Sequence, residues 1–129
     1  DPMYPVESAT LHLYYDGFSG GGSSHVLKAY PLTTSWTEGG VTWNAPWIDP
    51  GSDYMEPAVG MAEIGNDAGT WKVLDVTSLV QQWVADPASN DGLLVRARES
   101  TSYTVFRFAS RNNWNPAWAP YLEVTYGIP

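Results

Sequence analysis

Apolar positions along this chain mostly recur every second residue. Over 7–15, Ala9, Leu11, Leu13 and Tyr15 fall on one face of a strand and His12 on the other. A second strand is predicted over 25–32, ended by Thr33, Thr34 and Ser35, and a third over 58–64. Residues 36–44 read as a small hairpin or bulged strand with Gly39 and Gly40 at its bend. Three more strands are predicted over 93–98, 103–109 and 121–126. Their inward residues are Leu93, Val95 and Ala97, then Thr104, Phe106 and Phe108, then Leu122, Val124 and Tyr126. Between them lie a loop of turn residues over 16–24, a long proline-bearing loop over 45–57, a turn over 66–69 and a polar-aromatic loop over 111–120.

The period changes once. From Trp71 a strand runs into a segment where Val76, Leu79, Val80, Trp83 and Val84 sit at i, i+3, i+4, i+7 and i+8, one stripe of an amphipathic helix. The helix is predicted from Thr77 to Val84, with Ser78 and Gln81 as a capping box or Asp75 or Thr77 as N-cap, and Asp86-Pro87 ending it. One short helix among seven or eight strands argues for an all-β, antiparallel β-sandwich of jelly-roll type, closed at one end by the helix. The 129 residues fit a single domain, 1–129.

Composition removes several functions. There is no cysteine, hence no disulfide and no thiol chemistry, and only two histidines, His12 and His25. A net charge of -8 with only six Lys and Arg opposes binding to nucleic acid and to anionic membranes. No apolar run approaches the roughly 20 residues of a spanning helix. Charged residues make up 16% of the chain, a low share that suits an extracellular or cell-surface domain. No nucleophile elbow is present, and a chance meeting among fourteen carboxylates is no signal for glycoside hydrolysis, so the reading is not an enzyme.

Seven Trp and eight Tyr point elsewhere. The C–H faces of pyranose rings stack on flat indole and phenol rings, while planar polar side chains hold the hydroxyls. Trp114 and Trp118, in a loop with Arg111, Asn112, Asn113 and Asn115, have that composition; equally, they could fold back as lids on the sandwich. Trp47 and Tyr54 in the long loop are second candidates, whereas Trp36, Trp43, Trp71 and Trp83 read as core or structural residues. Arg107 alternates outward from Phe106 and Phe108; with Arg96, Arg98 and Lys28 it forms either a cationic strip for an acidic polysaccharide or ordinary cross-strand pairs with Glu99 or Glu123. No cofactor is required. A structural calcium could be held by Asp49, Asp53 and Glu56, or by Asp86, Asn90 and Asp91, since loop oxygens suit hard cations, although neither set matches an EF-hand.

Several of these segments together resemble a known family. Ser8-Ala-Thr-Leu-His-Leu-Tyr14, Trp36-Thr-Glu with Val41-Thr-Trp-Asn-Ala-Pro46, Asp75-Val-Thr-Ser-Leu-Val-Gln-Gln-Trp83 with Asn90-Asp-Gly-Leu-Leu-Val95, and Phe108-Ala-Ser110 with Pro120-Tyr-Leu-Glu-Val-Thr-Tyr126 are similar to the DNRLRE/disaggregatase-related repeats. The resemblance implies a β-sandwich of secreted and surface proteins that sits beside polysaccharide-degrading or adhesive domains, with some members binding carbohydrate and no catalytic residues. Similar domains begin with a further strand or two ahead of the Ser-Ala-Thr-Leu strand, so this chain is expected either to be cut from a longer protein or to be completed by a neighbour's strand. Two functions follow: an extracellular carbohydrate-binding or adhesion module whose partners are a polysaccharide and other domains of a larger secreted protein, or a fibre subunit assembled from copies of itself.

Overall fold

A computed structural model describes residues 4–20, 24–97 and 104–128. Among them the chain order is β1 (Val6–Ser19), β2 (His25–Pro31), β3 (Gly60–Ile64), β4 (Thr70–Asp75), α1 (Thr77–Ala85), β5 (Leu93–Ala97), β6 (Val105–Phe108) and β7 (Tyr121–Tyr126), with 3-10 turns at Pro87–Ser89 and Pro116–Trp118. β1 is the spine of one sheet: β4 runs along one edge, while β7 and then β6 share the other, end to end. β2 is the centre of the second sheet, between β3 and β5. Every pairing is antiparallel. Val6, Ala9 and Leu74 from the first sheet meet Leu27, Ala29 and Ile64 from the second, and this shared core is the interior of an all-β sandwich.

The helix packs where β1 begins. Val76, Leu79 and Val80 are 0%, 2% and 5% exposed, and each such burial stabilises the fold by about 1.5–3 kcal/mol. Its start is not a capping box. Val76 occupies the N-cap position without a side-chain bond, Asp75 Oδ1 accepts from Thr77 N–H and hydroxyl, and Gln81 Nε2 donates to the Val6 carbonyl at 2.9 Å. Those bonds fix the helix to the sheet as well as to itself.

Three expectations change. Residues 36–44 form no strand; Thr37 O accepts from both Gly40 N–H and Val41 N–H, so the Gly-Gly segment closes a turn outside both described sheets. β1 continues past Tyr15 to Ser19, because β6 offers it a partner once a bulge between Tyr15 and Gly17 has reset the register. On β7 only Val124 packs on the core. Leu122 and Tyr126 remain 42% and 48% exposed on a strand that, among the described residues, pairs with β1 alone. Arg98, Glu99 and Tyr103 lie outside the described residues.

The two ends of the described chain meet: Val6 pairs with Tyr126, and Gly127 N–H donates to Pro5 O at 2.7 Å.

Candidate functional site

Alternation that sends Ala9 and Tyr15 into the core sends Thr10, His12 and Tyr14 outward. Register then sets their neighbours. Tyr14 faces Trp71 on β4, and His12 faces Val73 on β4 and Tyr121 on β7. The rings touch as a continuous run. His12 stacks on Tyr121 at 4.3 Å and 8°, and Trp71 meets both Tyr121 (5.4 Å) and Tyr14 (5.3 Å) edge-on. Trp71, Val73 and Tyr121 keep 36%, 45% and 46% of their surface in solvent. His12 is held from below by a 2.8 Å bond between Nε2 and the Thr10 hydroxyl.

The loop over 109–120 extends this run. Asn113 Oδ1 accepts from Asn115 N–H, and Asn115 Oδ1 accepts from Ala117 N–H, which caps the 3-10 turn at Pro116–Trp118. The turn lays Trp118 on Tyr14 at 4.4 Å and 12°, with Trp114 edge-on to Trp118 at 5.3 Å and 81% exposed. Trp118 is therefore folded back, onto the outer face of the sheet and not over the end of the sandwich, while Trp114 stands open. Ring-on-ring contacts of this kind hold the platform in one geometry.

Arg111 donates from Nη2 and Nε to Glu38 Oε1 at 2.8 and 3.2 Å, an exposed pair. Arg107 points outward as expected, but its Nη1 bonds the Ser19 hydroxyl and its guanidinium lies over Gly17, where a Cβ would come within 2.7 Å of Nη2. It thus occupies the same outer face further along β1, beyond the bulge.

The remaining sequence candidates fall elsewhere. Trp47 is half-buried and donates to Thr42 O at 2.9 Å, a bond within its own loop. Tyr54 lies on the other sheet, 4.8 Å from the Tyr30 ring and hydrogen-bonded by Arg96 Nη1 at 2.5 Å. Three tryptophans read as core or structural are exposed: Trp36 at 40%, Trp43 at 63% and Trp71 at 36%. Of that group Trp83 packs against the core.

Of the calcium candidates, Asp53 turns its carboxylate on its own loop and on Thr34. Asp53 accepts from the Thr34 hydroxyl, Ile48 N–H and Asp49 N–H, and the Thr34 bond chiefly holds its carboxyl below the usual range. Among the described residues no three Asp, Glu or His side chains gather closely enough to hold a metal ion. Beneath the platform, Lys72 turns inward from β4, pairs with Asp67 and reaches over the Tyr15 ring, and the bond from Lys72 lowers the Asp67 pKa. Burial raises the Tyr15 pKa, and its hydroxyl donates to Gly65 O at 2.6 Å.

The family model for carbohydrate-binding module family 96 matches residues 2–126. The chain belongs to this family. The family 96 module is also 31% identical over 124 residues, 96% of its length, to the tRNA3(Ser)-specific nuclease WapA of Bacillus spizizenii. It spans 5% of that protein. Among the described residues of the module, no helix is long and apolar enough to cross a membrane.

Proposed function

We propose that this module is a non-catalytic, extracellular polysaccharide-binding domain whose ligand lies along the aromatic platform of the four-stranded sheet. One observation carries the reading: an uninterrupted run of rings from Tyr121 through Trp71, Tyr14 and Trp118 to Trp114 on a solvent-facing sheet surface. Soluble domains seldom leave such a patch open without a partner for it. Trp114, Trp71 and Tyr121 offer faces or edges for sugar C–H groups, and Arg111, Asn113 and Arg107 form the polar border. The module carries no resident cofactor in this reading. Kinship with the DNRLRE/disaggregatase-related repeats belongs to it, as does attachment to other domains of a larger secreted protein.

Affinity electrophoresis through gels containing cellulose derivatives, xylan, mixed-linkage β-glucan, galactomannan or polygalacturonate tests it. The wild-type chain should be retarded by at least one of them, and Trp114→Ala or Tyr121→Ala should weaken that retardation at least fivefold with unchanged melting temperature. Retardation untouched by both substitutions would remove the platform from the reading. A filamentous species in light scattering, dissolved by a charge placed on β1, would instead support assembly from copies of the chain.

A further inference from the structure

The opposite face of the sandwich carries a groove that the platform does not use. It lies outside β5 and beneath the loop over 48–54, with a volume of about 780 Å3, within the range of about 300–1,000 Å3 usual for ligand sites. Trp43, Asp49, Ser52, Tyr54 and Arg96 line it. Leu93, Val95 and Ala97 pack on the core, so Leu94 and Arg96 face outward into this region.

Trp43 is 63% exposed, yet it is positioned: Gly51 N–H donates to Trp43 O at 2.7 Å, and Gly51, at φ +94°, lies so close that a Cβ would stand 3.1 Å from Cζ2 and Cη2 of the indole. Tyr54 is equally fixed, between the Tyr30 ring and the Arg96 guanidinium, which lies 5.5 Å over its own ring. Ser52 is the unusual member. Its φ is +95°, a left-handed conformation that a serine enters only under constraint, and its buried hydroxyl oxygen has no hydrogen-bond partner. The constraint comes from Asp53, whose carboxylate gathers the Thr34 hydroxyl and two backbone N–H groups and so locks the loop. Backbone strain and an unmade hydrogen bond at one residue, beside an open indole in a groove, form the pattern of a ligand site.

We infer that this groove is a second carbohydrate site, taking a hydroxyl-bearing sugar unit of a glycan chain. Trp43 stacks on the sugar face, the Ser52 hydroxyl, covered in the free module, turns about its Cα–Cβ bond to meet a sugar hydroxyl, and Tyr54 closes the far side. The inference rests on the module being a carbohydrate binder but uses no residue of the platform. With sites on both outward faces, one copy engages two chains.

The test uses the full chain on the same polysaccharide gels. A platform variant, Trp71→Ala, should keep measurable retardation on at least one polysaccharide, and adding Trp43→Ala should lower that remainder at least tenfold. Ser52→Gly relieves the left-handed strain while deleting the hydroxyl, so it should fold at least as stably and yet bind the groove ligand at least threefold more weakly. Loss of all retardation in Trp71→Ala, or full retention in the Trp43→Ala and Ser52→Gly variants, overturns the second site. A wild-type chain retarded by none of the gels overturns the carbohydrate reading itself, and the groove assignment falls with it.

Discussion

β4 presents two different surfaces within six residues. Lys72 and Leu74 point inward, where Leu74 is 0% exposed and Lys72 is 8% exposed; Trp71 and Val73 point outward at 36% and 45%. β1 divides in the same way, with Ala9 and Tyr15 fully buried and His12 and Tyr14 in the ring run. Apolar character alone does not separate the two faces, since both are rich in it. What separates them is contact: the inner face meets a second sheet, and the outer face meets rings of its own sheet and of the loop over 109–120. One face holds the fold and the other stays open to solvent.

That division can be broken deliberately. The largest expected effect is on the inside: Leu74→Ala should lower the unfolding free energy by about 2–5 kcal/mol, read from a urea melt, because it opens a cavity between the sheets. Glycan retention by the fraction still folded should not change. Three residues away, Trp71→Ala should do the reverse. We expect at least tenfold weaker retention on the best polysaccharide, equivalent to about 1.4 kcal/mol, with a stability change below about 1 kcal/mol. If Trp71→Ala instead destabilises as much as Leu74→Ala does, the outer rings are part of the core and the two-face distinction fails.

Smaller effects sharpen the comparison. Asp67 has a lowered pKa, chiefly through its bond from Lys72, and Asp75 is lowered chiefly by the Thr77 hydroxyl. A carboxyl depressed in the folded state contributes stability above its unfolded value near 4, and that contribution is lost as pH falls through the folded value. Melting temperature should therefore hold steady above about pH 5 and decline in more acidic buffer, and Asp67→Asn should flatten part of that decline. The smallest expected effect is none at all: EDTA should leave melting temperature and retention where they were. A fall of several degrees, restored by calcium, would show a structural ion.

The inner face was readable in the sequence because burial imposes a period, and periods survive in one dimension. Ala9, Leu11, Leu13 and Tyr15, and the stripe from Val76 to Val84, are such patterns. The same parity places Tyr14 and Tyr121 outward, so half of the platform was available to a reader who followed the polar face. Lys72 hid the rest. A lysine at an inward position makes Trp71 look like the buried member of its strand, although Lys72 is accommodated by threading its stem past Tyr15 to reach Asp67. Trp43 and Ser52 left no such trace, since their environment depends on a loop closed by Asp53 bonds and on β5, some forty residues away.

The meeting of Val6 with Tyr126, and of Pro5 with Gly127, has a mechanical meaning. Any polypeptide joined at both ends of this module would enter and leave at one point, so tension along it would act on the adjacent ends of β1 and β7. Loaded in that direction, an antiparallel pair opens one rung after another, like a zipper, and never bears its full ladder in shear. Some five rungs inward stand His12 and Tyr121, roughly 20 Å from the point of attachment. A glycan seated there would be gripped by the part of the ladder that peels last, and force spectroscopy on a tandem array should find low rupture forces that rise when the polysaccharide is bound.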